Sequence, residues 1–347
     1  MTILMTGGLG FIGSAVLRRL LATTDEVVVN IDAQTYAASP ESLGEWLHHP
    51  RHILIRADIC DAAAVNAAFA AHAPTHVMHL AAESHVDRSI DGPAPFIQTN
   101  VTGTLVMLEA ARAAWGAQTA GHRFHHVSTD EVFGSLAPDA PPFDEHTPYD
   151  PRSPYSASKA ASDHLVRAWQ HTYGLPAFVS NTTNNYGPWQ FPEKLIPLVA
   201  LNALQGLPLP VYGDGLQVRD WIHVEDHAEA LCLALKHGKP GATYCLGPRQ
   251  ERTNIDVVRA ICAVLDRLRP DPAGPRARLI TYVRDRPGHD LRYAMDPSGA
   301  EAALGWKARI GFEDGLESSI RWYLDNEAWW GPIRAQKYAG QRLGSAA

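Results

Sequence analysis

The chain has 347 residues, more than twice the ~150 of a common single domain, so it can bury a large core as one elaborated α/β domain or as two domains. Its 30 basic residues against 37 acidic ones give a formal charge of −7, with no run of consecutive basic side chains long enough to mark a nucleic-acid binder; any anionic ligand must be gripped locally. An apolar content of 46%, a charged content of 19% and the lack of any apolar run near ~18 residues exclude disorder and a membrane-spanning helix.

The opening Met1-Thr2-Ile3-Leu4-Met5-Thr6 has no basic flank or small-residue cleavage site and runs straight into glycines, which predicts a cytoplasmic protein. Residues 2–6, 27–31, 52–57, 76–80, 124–128 and 177–180 read as strands separated by helix-length segments. That alternation implies βαβ units and hence a doubly wound parallel sheet with helices on both faces. Beyond about residue 185 the pattern loosens into a Pro/Gly-rich stretch with one short strand at 279–283. The expected division is a Rossmann domain over 1–185 and a smaller substrate-binding lobe over 186–347, with room for segments that return to the first domain; residues 342–347 read as a frayed tail. Cys60, Cys232, Cys245 and Cys262 are scattered without a Cys-x-x-Cys pair, so reduced core cysteines are expected and neither a zinc site nor a disulfide framework.

The first strand ends in Thr6-Gly7-Gly8-Leu9-Gly10-Phe11-Ile12-Gly13, a G-x-G-x-x-G run that opens a helix over 11–21. Missing side chains let the backbone approach a pyrophosphate, and the helix N-terminus supplies free N–H groups and positive dipole charge. Asp32 closes the second strand 19 residues after Gly13. A carboxylate there accepts from a ribose 2′-hydroxyl and repels a 2′-phosphate, which favours NAD over NADP. Asp58, ending the third strand, reads either as a neighbour of the adenine or as a helix N-cap. Residues 101–115 are apolar nearly all round, so that helix is expected inside a core or against a partner.

The strand at 124–128 is followed by Thr129-Asp130-Glu131-Val132-Phe133-Gly134. Ligands of an open α/β sheet bind beyond the carboxyl ends of its strands, so Thr129, Asp130 and Glu131 belong at the substrate. Both acids reach one ligand only if the backbone leaves the strand near Ser128, because neighbouring side chains of a strand point to opposite faces. Two carboxyls of opposite protonation suit elimination of water, one removing a carbon-bound proton and the other protonating the departing hydroxyl. Ser153-Pro154-Tyr155-Ser156-Ala157-Ser158-Lys159 then starts a helix, with Ser153 at the N-cap and Pro154 at N1. Tyr155 and Lys159 share a face; a nearby ammonium lowers a phenol's pKa and the positive nicotinamide ring lowers it further, so a tyrosinate can take a hydroxyl proton while hydride leaves the same carbon.

The glycine turn with Tyr-x-x-x-Lys resembles the extended short-chain dehydrogenase/reductase superfamily over nearly the whole chain. Within it, Ser128-Thr129-Asp130-Glu131-Val132-Phe133-Gly134 resembles the signature of dTDP-glucose 4,6-dehydratases, as do the blocks 79–89, 153–159, 184–188, 191–197, 219–221 and 285–290. The resemblance implies a redox-neutral dehydration of a nucleotide sugar with bound NAD, giving a 4-keto-6-deoxy sugar. Tyr155, helped by Thr129 and Lys159, would deprotonate the C4 hydroxyl; Glu131 would take the C5 proton and Asp130 would protonate the C6 leaving group. NAD contacts are implied for Gly7, Gly10, Phe11, Ile12, Gly13, Asp32, Thr35, Asp58, Ile59, Leu80, Ala81, Glu83, Thr99, Tyr155, Lys159 and Asn185. Substrate contacts are implied for Ser84, Thr129, Asn184, Lys194, Leu195, Pro210, Tyr212, Arg219, Asn254, Arg286 and His289. The family's dimer contact would fall on the helices near 100–115 and 154–172, which predicts a homodimer.

The stretch Asp32-Ala33-Gln34-Thr35-Tyr36-Ala37-Ala38-Ser39-Pro40 departs from the family's usual Asp-Lys-Leu-Thr-Tyr-Ala-Gly-Asn-Leu, keeping the acid and losing a Lys and a Gly beside the adenosine ribose. Beyond about Tyr338 the likeness fades, so no late tyrosine contact is carried over. The 17 histidines include His223 and His227 at i, i+4, but His-Val-Glu-Asp-His is not His-Glu-x-x-His, and structural roles are expected rather than a metal. His125 and His126 should point opposite ways. The competing readings are a nucleotide-sugar 4-epimerase or decarboxylase, which needs Tyr155 and Lys159 but not the acid pair, and a non-catalytic nucleotide-binding regulator.

Overall fold

The computed structural model describes residues 1–338 together with Gly340 and Leu343. In chain order come β1 (Thr2–Thr6), α1 (Phe11–Thr23), β2 (Val27–Asp32), β3 (His52–Arg56), α2 (Ala62–His72), β4 (His76–His79), α3 (Val86–Asp91) and α4 (Ala94–Phe96). A wide turn at Ile97–Gly103 leads into α5 (Thr104–Trp115), β5 (Arg123–Thr129), α6 (Pro154–Tyr173), β6 (Ala177–Thr182), β7 (Asn184–Tyr186), α7 (Leu195–Leu204), β8 (Leu209–Tyr212) and β9 (Val218–His223). The chain closes with α8 (Val224–His237), β10 (Thr243–Leu246), β11 (Glu251–Thr253), α9 (Asn254–Leu268), β12 (Ile280–Val283), α10 (Ser298–Leu304), α11 (Phe312–Asp325) and α12 (Glu327–Pro332).

Seven parallel strands form one sheet in the order β10-β6-β5-β4-β1-β2-β3. Buried on both faces, its strands are continuous apolar runs, and alternate residues of β1 serve different cores. Ile3 and Met5 pack with α1 and α8, while Leu4 packs with α2 and α5 on the opposite face. The chain runs outward from β1 to β2 and β3, then restarts at β4 on the other side of β1. The crevice for a ligand opens at that switch point, beyond the strand ends.

The loosened half of the sequence holds five short strands that its Pro/Gly content concealed. β7, β9 and β11 make a three-stranded sheet, β8 pairs in parallel with β12, and β10 returns to the large sheet beside β6. Each is only three to six residues long, too short for alternation to stand out. Two further expectations are corrected, for Asp58 and for two of the cysteines. Asp58 is not a helix cap: Asp61 accepts from the N–H groups of Ala63 and Ala64 at the start of α2, while Asp58 accepts from Cys60 N at 2.8 Å. Within one chain the segment 101–115 buries Met107, Leu108 and Ala111 and leaves Leu105 and Arg112 facing outward, so the core alone does not cover it. Cys60 and Cys232 are half-buried, not core, although all four thiols are free. The tail expected to fray at 342–347 lies outside the described residues, Leu343 excepted. Among the described residues no helix is long and apolar enough to cross a membrane.

Candidate active site

The glycine turn is dictated by close approach. A Cβ on Gly13 would lie 2.1 Å from the Gly7 carbonyl oxygen, and one on Gly7, whose φ is +73°, would lie 2.8 Å from Ala81 Cα. The turn is pinned to the neighbouring strand: Gly8 N donates to Asn30 Oδ1 at 3.0 Å and Leu9 N to Asp32 Oδ2 at 2.9 Å. α1 begins at Gly10 with no side-chain cap and no acid in its first turn, so its N–H groups stay available to an anion. One cleft is lined by this turn, by Asp32, Thr35, Asp58 and Ile59, by Leu80, Ala81, Glu83 and Thr99, and at its far end by Tyr155, Lys159 and Asn185. A cradle without Cβ atoms, uncapped donors and an acid at the end of β2 fit a dinucleotide pyrophosphate and a free ribose 2′-hydroxyl.

Beyond β5 the backbone turns as required. The strand ends at Thr129, and Asp130–Phe133 forms a single tight helical turn closed by Gly134 at φ +83°. The Thr129 hydroxyl donates to Asp130 Oδ1 at 3.2 Å and accepts from Glu131 N at 3.3 Å. Asp130 is 2% exposed, and its Oδ2 has no protein partner. Burial, reinforced by the Glu131 charge, holds its carboxyl well above the ordinary range, so it stays protonated. Burial raises Glu131 too, but Arg286, Arg219 and Lys194 oppose the shift and favour its anion. Both carboxyls are therefore raised, Asp130 the further of the two, while three cations limit the shift of Glu131.

α6 starts with a capping box between Ser153 and Ser156, Pro154 at its first turn, and it brings Tyr155 and Lys159 to the same cleft. Their expected electrostatic pairing is not what the protein itself shows. Lys159 Nζ donates to Val127 O at 2.9 Å and lies 3.5 Å from His126 Nε2, and burial lowers its pKa to about 8. Tyr155 is shifted upward, not downward: burial and the Glu131 charge raise it, and a hydrogen bond with Thr129 is the leading opposing influence.

A second cavity adjoins the first through Ser84, Glu131, Asn184, Glu193 and Lys194. It is lined further by Leu195, Pro210, Tyr212, Arg219, Asn254, Arg286 and His289. Arg219 donates to the carbonyls of Val218 and Asp290 at 2.7 and 2.9 Å and lies 4.1 Å from the Tyr293 ring centre, with no carboxylate in direct contact. Arg286 donates to Asp87 Oδ1 at 3.0 Å, and its buried Nε is unpartnered. Lys194 Nζ donates to Ser84 O at 2.8 Å. Three cations facing one cavity, with donors left over, suit a diphosphate. Burial, Arg286 and Arg219 push His289 down to about 4, against the Asp285 carboxylate 2.6 Å from its Nδ1.

The family model of GDP-mannose 4,6 dehydratase matches residues 4–319. A dTDP-glucose 4,6-dehydratase of Escherichia coli is 54% identical over 359 residues, covering 99% of each chain. The chain belongs to the dTDP-glucose 4,6-dehydratases. Among solved structures, a member of that family from Streptomyces venezuelae with NAD bound superposes with a TM-score of 0.88 at 41% identity, covering 96% of this chain and 100% of the other. A Thermus thermophilus UDP-glucose 4-epimerase in complex with NAD reaches 0.82 at 30% identity, covering 94% and 100%. The dehydratase likeness thus exceeds the epimerase likeness on each measure except the other chain's coverage.

Sequence reasoning missed some lining residues of this dehydratase family member. Glu193 borders both cavities, accepting from Arg88 Nε at 2.8 Å and from Tyr36 OH at 3.1 Å. Its adjacency to Lys194 was the available signal. Tyr338, left aside because the likeness fades there, lines the second cavity. Thr182 and Thr183 border the first. The histidines take structural places: His223 accepts from Glu225 N as the cap of α8, and His227 bonds Asn185 Oδ1 at 2.8 Å. His125 stacks on Phe178 at 4.5 Å between ring centres, whereas His126 turns toward Ser162 and Lys159.

Proposed function

We propose that this chain removes water from dTDP-glucose to give dTDP-4-keto-6-deoxyglucose, using bound NAD. NAD supplies the acceptor that holds the C4 hydride and yields it again at C6. The observation that carries the reading is the Asp130–Glu131 turn beside Tyr155, with one acid buried and its carboxyl held well above the ordinary range and its neighbour faced by three cations. Tyr155, helped by Thr129 and Lys159, takes the C4 hydroxyl proton as that carbon is oxidised. The resulting ketone acidifies C5, whose proton Glu131 removes. Asp130 gives its proton to the C6 hydroxyl, which leaves as water, and C5 is then reprotonated from Glu131. Gly7, Gly10, Phe11, Ile12 and Gly13 would hold the cofactor pyrophosphate, with Asp32 at the ribose. Lys194, Arg219 and Arg286 would hold the sugar-nucleotide diphosphate.

The reading extends to a cytoplasmic homodimer. Support comes from four free thiols and from Ile97, Leu105 and Tyr173, which stay exposed on the helical segments near 100–115 and 154–172. The deciding experiment incubates the protein with dTDP-glucose, UDP-glucose and their hexose analogues and identifies products by mass. A dTDP-sugar lighter by one water and carrying a 4-keto group is expected. Recovery of only an isomeric sugar would replace the reading with epimerisation.

A further inference from the structure

The reaction read above uses Tyr155 and Lys159 of α6 and leaves a third ionisable group on the same face unexplained. Asp163 follows Lys159 by four residues, as Lys159 follows Tyr155, so the three stack on successive turns. Its side chain is 0% exposed. A carboxylate in such a place costs free energy unless its surroundings repay it, and here they converge on it. Ser128 Oγ donates to Oδ2 at 2.9 Å, Tyr149 OH at 2.8 Å and Asn181 Nδ2 at 3.3 Å. Together they hold the carboxylate ionised, its pKa below the ordinary value despite burial, with His126 the leading group opposing burial.

Oδ2 is saturated by these donors, which leaves Oδ1. It accepts no hydrogen bond, and the nearest charged-pair neighbour is His126 Nε2 at 3.2 Å, a nitrogen that also lies 3.1 Å from Ser162 Oγ and 3.5 Å from Lys159 Nζ. One imidazole therefore sits between a buried anion and a buried cation. Burial and the Lys159 charge push His126 itself down to about 4, with Asp163 opposing. His79 of β4 packs on the His126 ring at 5.3 Å between centres, and burial holds it neutral. Arg167 Nη2 donates to Tyr149 OH at 2.9 Å, one bond removed from the carboxylate, and Tyr155 lies on the turn before Lys159. Burial works to strip the proton from Lys159, and Asp163 is the charge that opposes it.

We propose that Asp163 is a positioning residue for proton removal at C4: acting across His126, it supplies the counter-charge that keeps Lys159 cationic at the back of the cleft. The proposal rests on the reading of Tyr155 and Lys159 given above. It also explains why an anion is buried where three neutral donors alone would have been cheaper to pair with a neutral acceptor.

Asp163→Asn tests it, since the amide keeps the shape and removes the charge. Two readouts are made on the full-length protein loaded with NAD. In an NMR titration of ε-carbon-labelled lysine, tractable because the chain has only 6 lysines, the Lys159 midpoint falls by about one pH unit or more in the Asn variant. Asp163→Glu, which keeps the charge, restores the midpoint toward that of the parent. In single-turnover reduction of the cofactor by dTDP-glucose, the parent-to-variant rate ratio grows about tenfold between acidic and alkaline pH, as a one-unit shift requires. Should the Asn variant not fold, Asp163→Ser supplies the same neutralisation. An unchanged Lys159 midpoint with a rate loss uniform in pH makes Asp163 a structural pillar and overturns the proposal. If the parent itself reduces no cofactor with dTDP-glucose, the functional reading fails, and the lysine titration still decides the role of Asp163.

Discussion

The two ends of the joined cleft prepare for anions by opposite means. At the glycine turn the donors are main-chain N–H groups at the start of α1, and their strength comes from how closely a ligand can approach. In the second cavity the donors are Lys194, Arg219 and Arg286, and their strength comes from charge held out of water. The first device depends on absent atoms and the second on long side chains that must be kept in place by carbonyls, an aromatic face and Asp87. Between them lie the acid pair and Tyr155, which need both ends filled before they can act.

The sharpest way to break this division is at its centre. Tyr155→Phe removes the proton acceptor and should slow cofactor reduction by about 10²–10⁴-fold; normal build-up of NADH-like absorbance in that variant would contradict the assignment. Glu131→Gln should cut release of the 4-keto-6-deoxy product by about 10²-fold or more while cofactor reduction persists, a split that stopped-flow absorbance and product analysis resolve together. Unchanged turnover would remove Glu131 from the mechanism.

The two ends separate next. Arg219→Met should raise KM for the nucleotide sugar by about 10–100-fold, as loss of a charged hydrogen bond of ~1.5–3 kcal/mol implies, with NAD affinity unmoved. Gly13→Ala should do the reverse, weakening NAD by about 5–100-fold through an overpacking cost of ~1–3 kcal/mol while KM at saturating NAD holds. Calorimetric titration with each ligand separates the two, and equal losses of both ligands in either variant would erase the distinction between the ends.

The smallest effect concerns stability. Between the ordinary carboxylate value and its raised native value, Asp130 holds a proton that the unfolded chain has lost, so its contribution to stability declines as pH rises through that window. Asp130→Asn removes that liability. Its melting temperature should exceed the parent's by a few degrees at mildly alkaline pH and by less in acid, alongside impaired turnover. An equal difference at both pH values would mean that Asp130 is not a protonated buried acid.

The halves of the site also differ in how far the sequence reveals them. Gly7, Gly10, Gly13 and Asp32 declare themselves because strand, turn and helix follow one another within a single βαβ unit. Tyr155 and Lys159 do so through their spacing of four. The turn at Asp130 is legible as a geometric necessity, with Gly134 in the sequence to close it. In contrast, the strands that carry Tyr212 and Arg219 are four and six residues long and are set by partners distant in sequence, as where β9 pairs with β7 and β11. Their placement of the cations was reached only through family resemblance. The chain's own groups leave the Tyr155 shift upward, since burial and the Glu131 charge outweigh an ammonium engaged with Val127; the downward expectation also counts the positive nicotinamide ring, which is no part of the chain.

The seventh strand of the large sheet has a practical consequence. β10 is contributed after the excursion that builds β7, β8 and β9, and α8, just before it, covers α1. A fragment ending near residue 185 would therefore present β6 with its hydrogen-bonding edge open and α1 without Ala228, Leu231 and Leu235 against it. Such an edge invites strand addition from another molecule, so the excised nucleotide-binding half should be prone to self-association and unsuited to use as a stand-alone module.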